Sequence, residues 1–372
     1  MRQLRIAQVT EYYYPHLGGI CEHVHHLARE ARLLGHHVDI ITSRIEDRTE
    51  SPNVIRLGQS VPIYCNGSLA RITVGRSLRR RMREVLTNGR YDIVHVHAPL
   101  TPTLPLLAVD EATCPVVGTF HADLDYSVAY ALGGRFFQPR MSRLAAAVAV
   151  SPRVVDGHAR YFDADWTVIP NGVDVDFFVP DAPRPATMRR DVATVLFLGR
   201  FDPRNGLASL IDAFRRVRGV RRPAQLVVVG DGPLRSYYRR LANGDPDIAF
   251  VGAVIDERPE YYANASVYAC PTTTGSFGIT LLESMACGTA IVCSDINGFQ
   301  HVVTHEREAL MFASGDTRAL SDALVRGLDD DALRARLGAA GRHRALAFAW
   351  PRVTEMVLGL YADVLGERRI AA

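Results

Sequence analysis

Between Tyr268 and Gly298 the chain reads YACPTTTGSFGITLLESMACGTAIVCSDING, and these residue types suit the holding of an anion. An apolar strand at 267–270 breaks at Pro271, a Thr- and Gly-rich loop follows, and Ser276-Phe277-Gly278 opens a helix carrying Leu281, Leu282, Met285 and Ala286. Gly288 ends that helix, and 290–293 forms the next strand. A glycine loop feeding a helix start presents unpaired backbone N–H groups and the positive end of the helix dipole. That arrangement receives phosphate, although the same letters also fit an ordinary strand–loop–helix unit. Glu283 stands about two turns into the helix, toward the flank of such a ligand. Two further polar groups stand at a strand end, His121 and Asp123 after the strand at 116–120, where parallel sheets place their chemistry. In DIVHVH, His95 and His97 share one face of a strand. Such a pair can bind zinc, but no third ligand is evident, so no metal is expected.

These groups need a scaffold. A strand at 4–10 leads through EYYYPHLGG into a helix at 20–34, whose Ile20, Val24, Leu27, Ala28, Ala31 and Leu34 follow helical spacing. Gly35 stops it and a strand at 38–42 follows. Gly18-Gly19 at the helix start lets a ligand approach the backbone closely. GxGxxG is absent, which sets aside a dinucleotide cofactor. Residues 58–75 read as a polar, turn-rich excursion. In RSLRRRMREVL, Arg76, Arg79, Arg80 and Arg83 form one helical stripe and Leu78, Met82, Val85 and Leu86 another. A basic amphipathic helix suits an anionic membrane surface; a solvated face packed on its own core is the alternative. The Pro- and Arg-rich stretch 180–190 reads as a linker. A second alternation of strands and helices begins at Val195, and Trp350-Pro351 starts a final helix. The sum is α/β: two parallel-sheet domains with a cleft between their strand C-termini.

Composition agrees. The 372 residues, 48% hydrophobic and 22% charged, fit two globular domains. A net charge of +3 is too small to argue for nucleic acid. All 43 basic residues are Arg, so Schiff-base chemistry and a lysine-bearing P-loop both lose their central residue. The six cysteines lack metal spacing and read as reduced thiols. The N-terminus enters a strand at once, without a signal peptide, and no apolar run approaches the roughly 20 residues of a membrane span. A cytoplasmic protein is expected, soluble or peripheral on the inner face of the membrane.

Several ordered runs carry a resemblance: the early Gly-Gly helix, VPI-x-x-NGS-x-AR at 61–71, the basic helix, DIVHVH, and TFH at 119–121. IPNGVDV at 169–175, VLFLGRFDPRNG at 195–206 and SFGITLLESMACGTAIV complete the set. Together they resemble the retaining glycosyltransferases of family 4, and within them the bacterial phosphatidyl-myo-inositol mannosyltransferases. The resemblance implies a GT-B fold, two Rossmann-like domains at 1–180 and 190–350 facing across a cleft, with a C-terminal helix at 351–372 returning to the first. It implies transfer of a hexosyl unit, mannose or glucose type, from a GDP- or UDP-hexose to a phosphoinositide-like or other lipid-linked acceptor, with no cofactor and no metal. Gly19, Ser276, Phe277 and Gly278 then bring backbone amides to the donor diphosphate. Arg200 holds it through its planar guanidinium, Glu283 takes the ribose hydroxyls, and His121 lies beside the transferred sugar. Tyr12, Asn66, Ser68 and Arg71 match positions that receive the phosphoinositol head, and Arg76, Arg79, Arg80 and Arg83 contact an anionic membrane.

Two positions depart from that pattern. Gly275 stands where the family has a Glu on the donor sugar, and Asn205 where it has a Lys on the phosphate. A charge-assisted contact contributes about 1.5–3 kcal/mol, and Arg204 and Asp202 are the nearest candidate replacements. The alternatives are a soluble transferase of the same fold, acting on a small molecule or saccharide chain, and a domain pair that binds without turnover.

Overall fold

The structure, a computed structural model, describes residues 2–15, 18–45, 51–65, 68–124, 126–220 and 223–366. The chain forms two compact units, Met1–Asn171 with Trp350–Ala372, and Gly172–Ala349. The stretch 180–190 therefore lies inside the second unit, and the chain passes between units at 171–172 and 349–350.

In the first unit the order is β1 (Arg5–Val9), α1 (Gly19–Leu33), β2 (His37–Arg44), β3 (Val54–Cys65), β4 (Ser68–Val74), α2 (Leu78–Gly89) and β5 (Ile93–His97). Then come α3 (Leu104–Glu111), β6 (Val116–Phe120), α4 (Val128–Met141), β7 (Leu144–Ala149), α5 (Pro152–Ala159) and β8 (Trp166–Val168). The eight strands lie in the order β4-β3-β2-β1-β5-β6-β7-β8. All neighbours are parallel except β3 and β4. The sequence of pairing reverses between β1 and β5, and ligands of such sheets bind beyond the strand C-termini at that reversal.

The second unit contains β9 (Ala193–Leu198), α6 (Leu207–Val220), β10 (Ala224–Val229), α7 (Arg235–Ala242), β11 (Ile248–Gly252) and α8 (Arg258–Ala263). It continues with β12 (Val267–Cys270), α9 (Ile279–Ala286), β13 (Ile291–Asp295), β14 (Ala309–Ala313), α10 (Thr317–Asp329) and α11 (Asp331–Ala345). Its six strands are all parallel, in the order β11-β10-β9-β12-β13-β14. Here the reversal lies between β9 and β12, the strands that precede Arg200 and the Ser276 loop. Both faces of this sheet are covered, so β9, β10 and β12 are runs of Val, Leu, Ala and Phe rather than alternations.

A further sequence expectation fails. Residues 58–75 are not a turn-rich excursion: β3 and β4 form an antiparallel hairpin from Gln59↔Val74 to Cys65↔Ser68 at the edge of the sheet. Their Val, Ile, Tyr and Thr residues favour strand. Asn-Gly between two such runs is a hairpin signal, and Asn66 itself lies outside the described residues.

The final helix α12 (Trp350–Val364) belongs to the first unit, as the resemblance implies. Its Trp350, Val353, Val357, Leu358 and Tyr361 are buried in one cluster with Leu4, Ile6, Val24 and Leu27. The Trp350 ring stacks on His26 at 5.2 Å and 6° between planes. Truncating such a buried aromatic typically costs about 3–5 kcal/mol. Trp350→Ala is expected to lower the unfolding free energy of the first unit by that amount, read from urea unfolding followed by circular dichroism.

Candidate functional site

In the second unit two loops meet beyond the reversal of the sheet. The first leaves β9 at Gly199 and runs through Arg200, whose side chain is exposed and has no ion-pair partner among the described residues. Asn205 turns its amide inward, Nδ2 donating to the carbonyl oxygen of Arg200 at 2.8 Å, and so fixes the backbone that carries the guanidinium. The second loop follows β12. Its Thr273 N–H donates to the carbonyl oxygen of Arg204 at 2.8 Å. A Cβ on Gly206 would stand 2.1 Å from the carbonyl oxygen of Pro271, and its φ is +71°, so only glycine lets the loops close to this distance.

The second loop ends at α9. Its cap is Gly278 in a left-handed conformation, with no side-chain hydrogen bond to the first turn. By contrast, Ser127, Ser151, Asp316 and Asp330 cap α4, α5, α10 and α11 through their side chains. The Leu281 N–H bonds back to the Gly278 carbonyl oxygen at 3.0 Å, while those of Ile279 and Thr280 have no acceptor among the described residues, which leaves them for an external one. Ser276 is half-buried beside them, and Phe277 is buried with its ring 6.1 Å from that of Phe348. Helix α1 repeats the device in the first unit: Gly18 caps it without a side-chain bond, and Gly19 is its first residue.

Three sequence expectations are altered here. Arg204 and Asp202 bond to each other, Nη2 to Oδ2 at 3.3 Å, so neither stands free as the replacement cation or carboxylate. Glu283 is buried rather than turned outward: its carboxylate accepts from Arg258 Nη1 at 2.5 Å and from the Tyr262 hydroxyl at 2.9 Å. Burial, with the Glu283 charge beside it, pushes the Tyr262 hydroxyl well above its usual range, so it stays a donor. Arg258 carries no sequence signal. Gly275 is packed close, since a Cβ there would stand 3.3 Å from the Phe299 ring.

In the first unit Tyr12 and Arg71 come together, the Arg71 N–H donating to the Tyr12 hydroxyl at 3.2 Å. The Arg71 guanidinium lies along β3, Nε donating to Ser60 Oγ at 2.8 Å, with no carboxylate partner among the described residues. Ser68 begins β4. Sequence reasoning passed over Glu11, between β1 and Tyr12. It is buried and accepts from Thr73 Oγ1 at 2.5 Å, from Thr103 Oγ1, and from the N–H of Leu104 at 2.9 Å, thereby capping α3 from outside. Burial raises its carboxyl, and those three donors partly offset the rise. A carboxylate directly after the first strand was the available signal.

The basic stripe is partly neutralised. Arg79 pairs with Glu111 at 2.7 Å and Asp110 at 3.0 Å, and Arg83 with Glu111 at 2.6 Å. Arg80 lies 3.6 Å from Glu84, and Arg76 is exposed just before α2.

The histidines are arranged otherwise than the sequence suggests. His95 donates and accepts elsewhere, with Nδ1 2.6 Å from the Tyr361 hydroxyl and Nε2 2.6 Å from Thr119 Oγ1. His97 is joined instead by His121, Nδ1 to Nε2 at 3.1 Å, and by His23 of α1. The third imidazole thought missing therefore exists, on a helix remote in sequence. Asp123 does not accompany His121; it pairs with Arg153 at 2.9 Å.

Comparison with known proteins follows the same outline. Residues 17–177 match the family described as Glycosyltransferase Family 4, and residues 192–330 the one described as Glycosyl transferases group 1. The chain is 34% identical to a phosphatidyl-myo-inositol mannosyltransferase of Mycobacterium tuberculosis over 98% of each chain. It is 33% identical to that of Mycobacterium leprae over 97% of each. A glycosyltransferase of Rickettsia africae superposes with a TM-score of 0.78 at 17% identity, covering 99% of this chain and 100% of that one.

Desolvation sets the charge state of the histidine cluster. It pushes His23 down to about 4 and His95 to about 3, and holds His97 and His121 well below the usual value, the neighbouring imidazoles adding to the effect. In the unfolded chain these rings take up protons near pH 6.5, whereas the folded protein resists until far lower. The neutral rings thus favour the fold above that pH, and the advantage is lost as pH falls toward 4. Urea unfolding at about pH 7 and about pH 5 is expected to show lower stability at the acid value, each imidazole contributing on the order of 1 kcal/mol per pH unit.

Proposed function

Since the chain belongs to glycosyltransferase family 4, with the GT-B fold, we propose that it moves a hexosyl unit of mannose or glucose type from a nucleotide-diphosphate sugar to a phosphoinositide-like or other lipid-linked acceptor. The anomeric configuration is retained. The observation that carries this is the pair of loops in the second unit, one carrying the unpaired Arg200 and the other ending at the uncapped start of α9, joined to each other through Thr273 and Arg204 and through Gly206 and Pro271. Breaking the bond to the sugar adds one negative charge to a diphosphate that already carries two, and such a loop pair neutralises it without a metal ion or cofactor. Arg200 contributes charge-assisted bonds, while Gly19, Ser276, Phe277 and Gly278 contribute backbone amides. Asn205 orients Arg200. Glu283, already fixed by Arg258 and Tyr262, offers its remaining lone pairs to the ribose hydroxyls. His121 lies beside the sugar as positive charge develops at its anomeric carbon. The acceptor hydroxyl attacks from the leaving group's own face, and its proton goes to the departing phosphate.

Tyr12, Asn66, Ser68 and Arg71 receive the acceptor head, Arg71 supplying the cation for its phosphate. The phosphatidyl-myo-inositol mannosyltransferases among the relatives support a mannosyl donor and a phosphoinositide acceptor. Among the described residues no helix is long and apolar enough to cross a membrane. The chain acts peripherally, at the inner face of the membrane, through Arg76, Arg80 and the outer side of α2. The pairing of Arg79 and Arg83 with Asp110 and Glu111 favours a second reading, a transferase acting on a soluble acceptor.

Two measurements test these assignments. Isothermal titration with a panel of GDP- and UDP-hexoses fixes base and sugar together. Arg200→Ala is expected to weaken the preferred donor by about 10- to 100-fold, the loss of one charge-assisted contact; unchanged affinity removes Arg200 from the diphosphate. Co-sedimentation with anionic vesicles is expected to fall as salt rises and to drop further in Arg76→Glu/Arg80→Glu. Equal binding to neutral vesicles selects the soluble acceptor.

A further inference from the structure

Three imidazoles from three separate elements meet in the first unit, His23, His97 and His121 each offering one ring nitrogen so that the three lie within 4.8 Å of one another. The outer nitrogens of two of these rings are tied. His97 Nε2 lies 2.6 Å from Gln8 Oε1 and His23 Nδ1 2.9 Å from Asn171 Oδ1. A side-chain carbonyl oxygen accepts, so each ring donates its one N–H outward and turns a lone pair inward. The inward lone pair of His97 faces His121 at 3.1 Å. That of His23 has no hydrogen-bond partner among the described residues, on a side chain 2% exposed. A buried polar atom without a partner calls for an explanation. An imidazole held by a second-shell oxygen on one nitrogen and bare on the other is the arrangement found in metal-binding histidines.

We propose that His23, His97 and His121 bind one divalent transition-metal ion of the zinc class. Three neutral imidazoles select zinc, cobalt, nickel or copper over magnesium or calcium, which take oxygen ligands. They leave a fourth position for water, as three-ligand zinc sites do. Ligand bonds of roughly 2.0–2.1 Å require the nitrogens to draw closer than they now stand. On binding, His121 carries its hydrogen on Nδ1 instead of Nε2, so the rings stay neutral and no proton is released. The ion clasps α1, the end of β5 and the loop after β6. The ion shares His121 with the sugar site proposed above and supplies no step of the transfer; the assignment rests on imidazole geometry alone.

The test uses the full chain, stripped with a chelator and free of any donor. Titration with CoCl2 is expected to give visible absorption of a nitrogen-ligated ion saturating at one ion per chain, and ZnCl2 to raise the thermal midpoint. His23→Ala and His97→Ala are expected to weaken cobalt binding by about 100-fold or more, whereas His301→Ala and His343→Ala, at exposed positions, leave it unchanged. Should either buried variant fail to fold, Asn171→Ala decides: it retains all three rings, releases only the outer N–H of His23, and is expected to lose about 10- to 100-fold. Absence of stoichiometric binding by the unaltered chain, or binding undiminished in His23→Ala or Asn171→Ala, overturns the site. Because no nucleotide sugar is present, that outcome is independent of the Arg200→Ala result.

Discussion

The N–H groups of Ile279 and Thr280 at the start of α9, unpaired among the described residues, impose the constraint on which the second unit turns. A helix end without a capping side chain must find its acceptor outside the chain, in water or an anion. The loops around it keep that end open, and one of them carries a cation. Gly278 caps without an oxygen, Gly206 allows the neighbouring turn to press against Pro271, and Asn205 holds the Arg200 backbone by its carbonyl. The two loops leave β9 and β12, which are neighbours only because the strand order reverses there. Topology thus brings the groups together, and glycine sets how closely.

The first unit solves a different problem. Parallel strands buried on both faces are ordinarily apolar, yet β1, β5 and β6 place Gln8, His95, His97 and Thr119 beneath α1 and α12. A buried polar group is tolerated when its hydrogen bonds are made. Here a chain of bonds runs from Thr119 through His95 to the Tyr361 hydroxyl of α12, then through Gln8 to His97 and His121. Such networks fix one arrangement of the elements that share them. Glu11 plays the same part just beyond β1, joining the end of that strand to β4 and α3.

Much of this was legible. Runs of Val, Leu and Ile bounded by glycine marked the parallel strands, helical spacing marked α1, and Ser276-Phe277-Gly278 marked the open helix end. What escaped depends on partners distant in the chain. That Arg79 and Arg83 meet Glu111 follows from the packing of α2 on α3, not from the stripe itself. That Arg204 is neutralised by Asp202 follows from the tight turn between them. Glu283 is turned inward by Arg258 and Tyr262, neither of which periodicity connects to it. The three imidazoles come from a helix, a strand and a loop, so no spacing rule links them. The β3–β4 hairpin was a different kind of miss, because Asn66-Gly67 between β-branched runs was there to be read.

The placement of α12 has a consequence for how the chain is made. Trp350, Val357 and Tyr361 complete the core around α1, but they leave the ribosome only after the whole second unit has been synthesised. At about 5–20 residues per second, that interval lasts on the order of ten seconds or more. Throughout it, Val24, Leu27 and Ala28 have no helix to lie against, while the uninterrupted second unit already possesses every residue it requires. The half translated first is therefore the half finished last, and its apolar surface stays bare until α12 arrives.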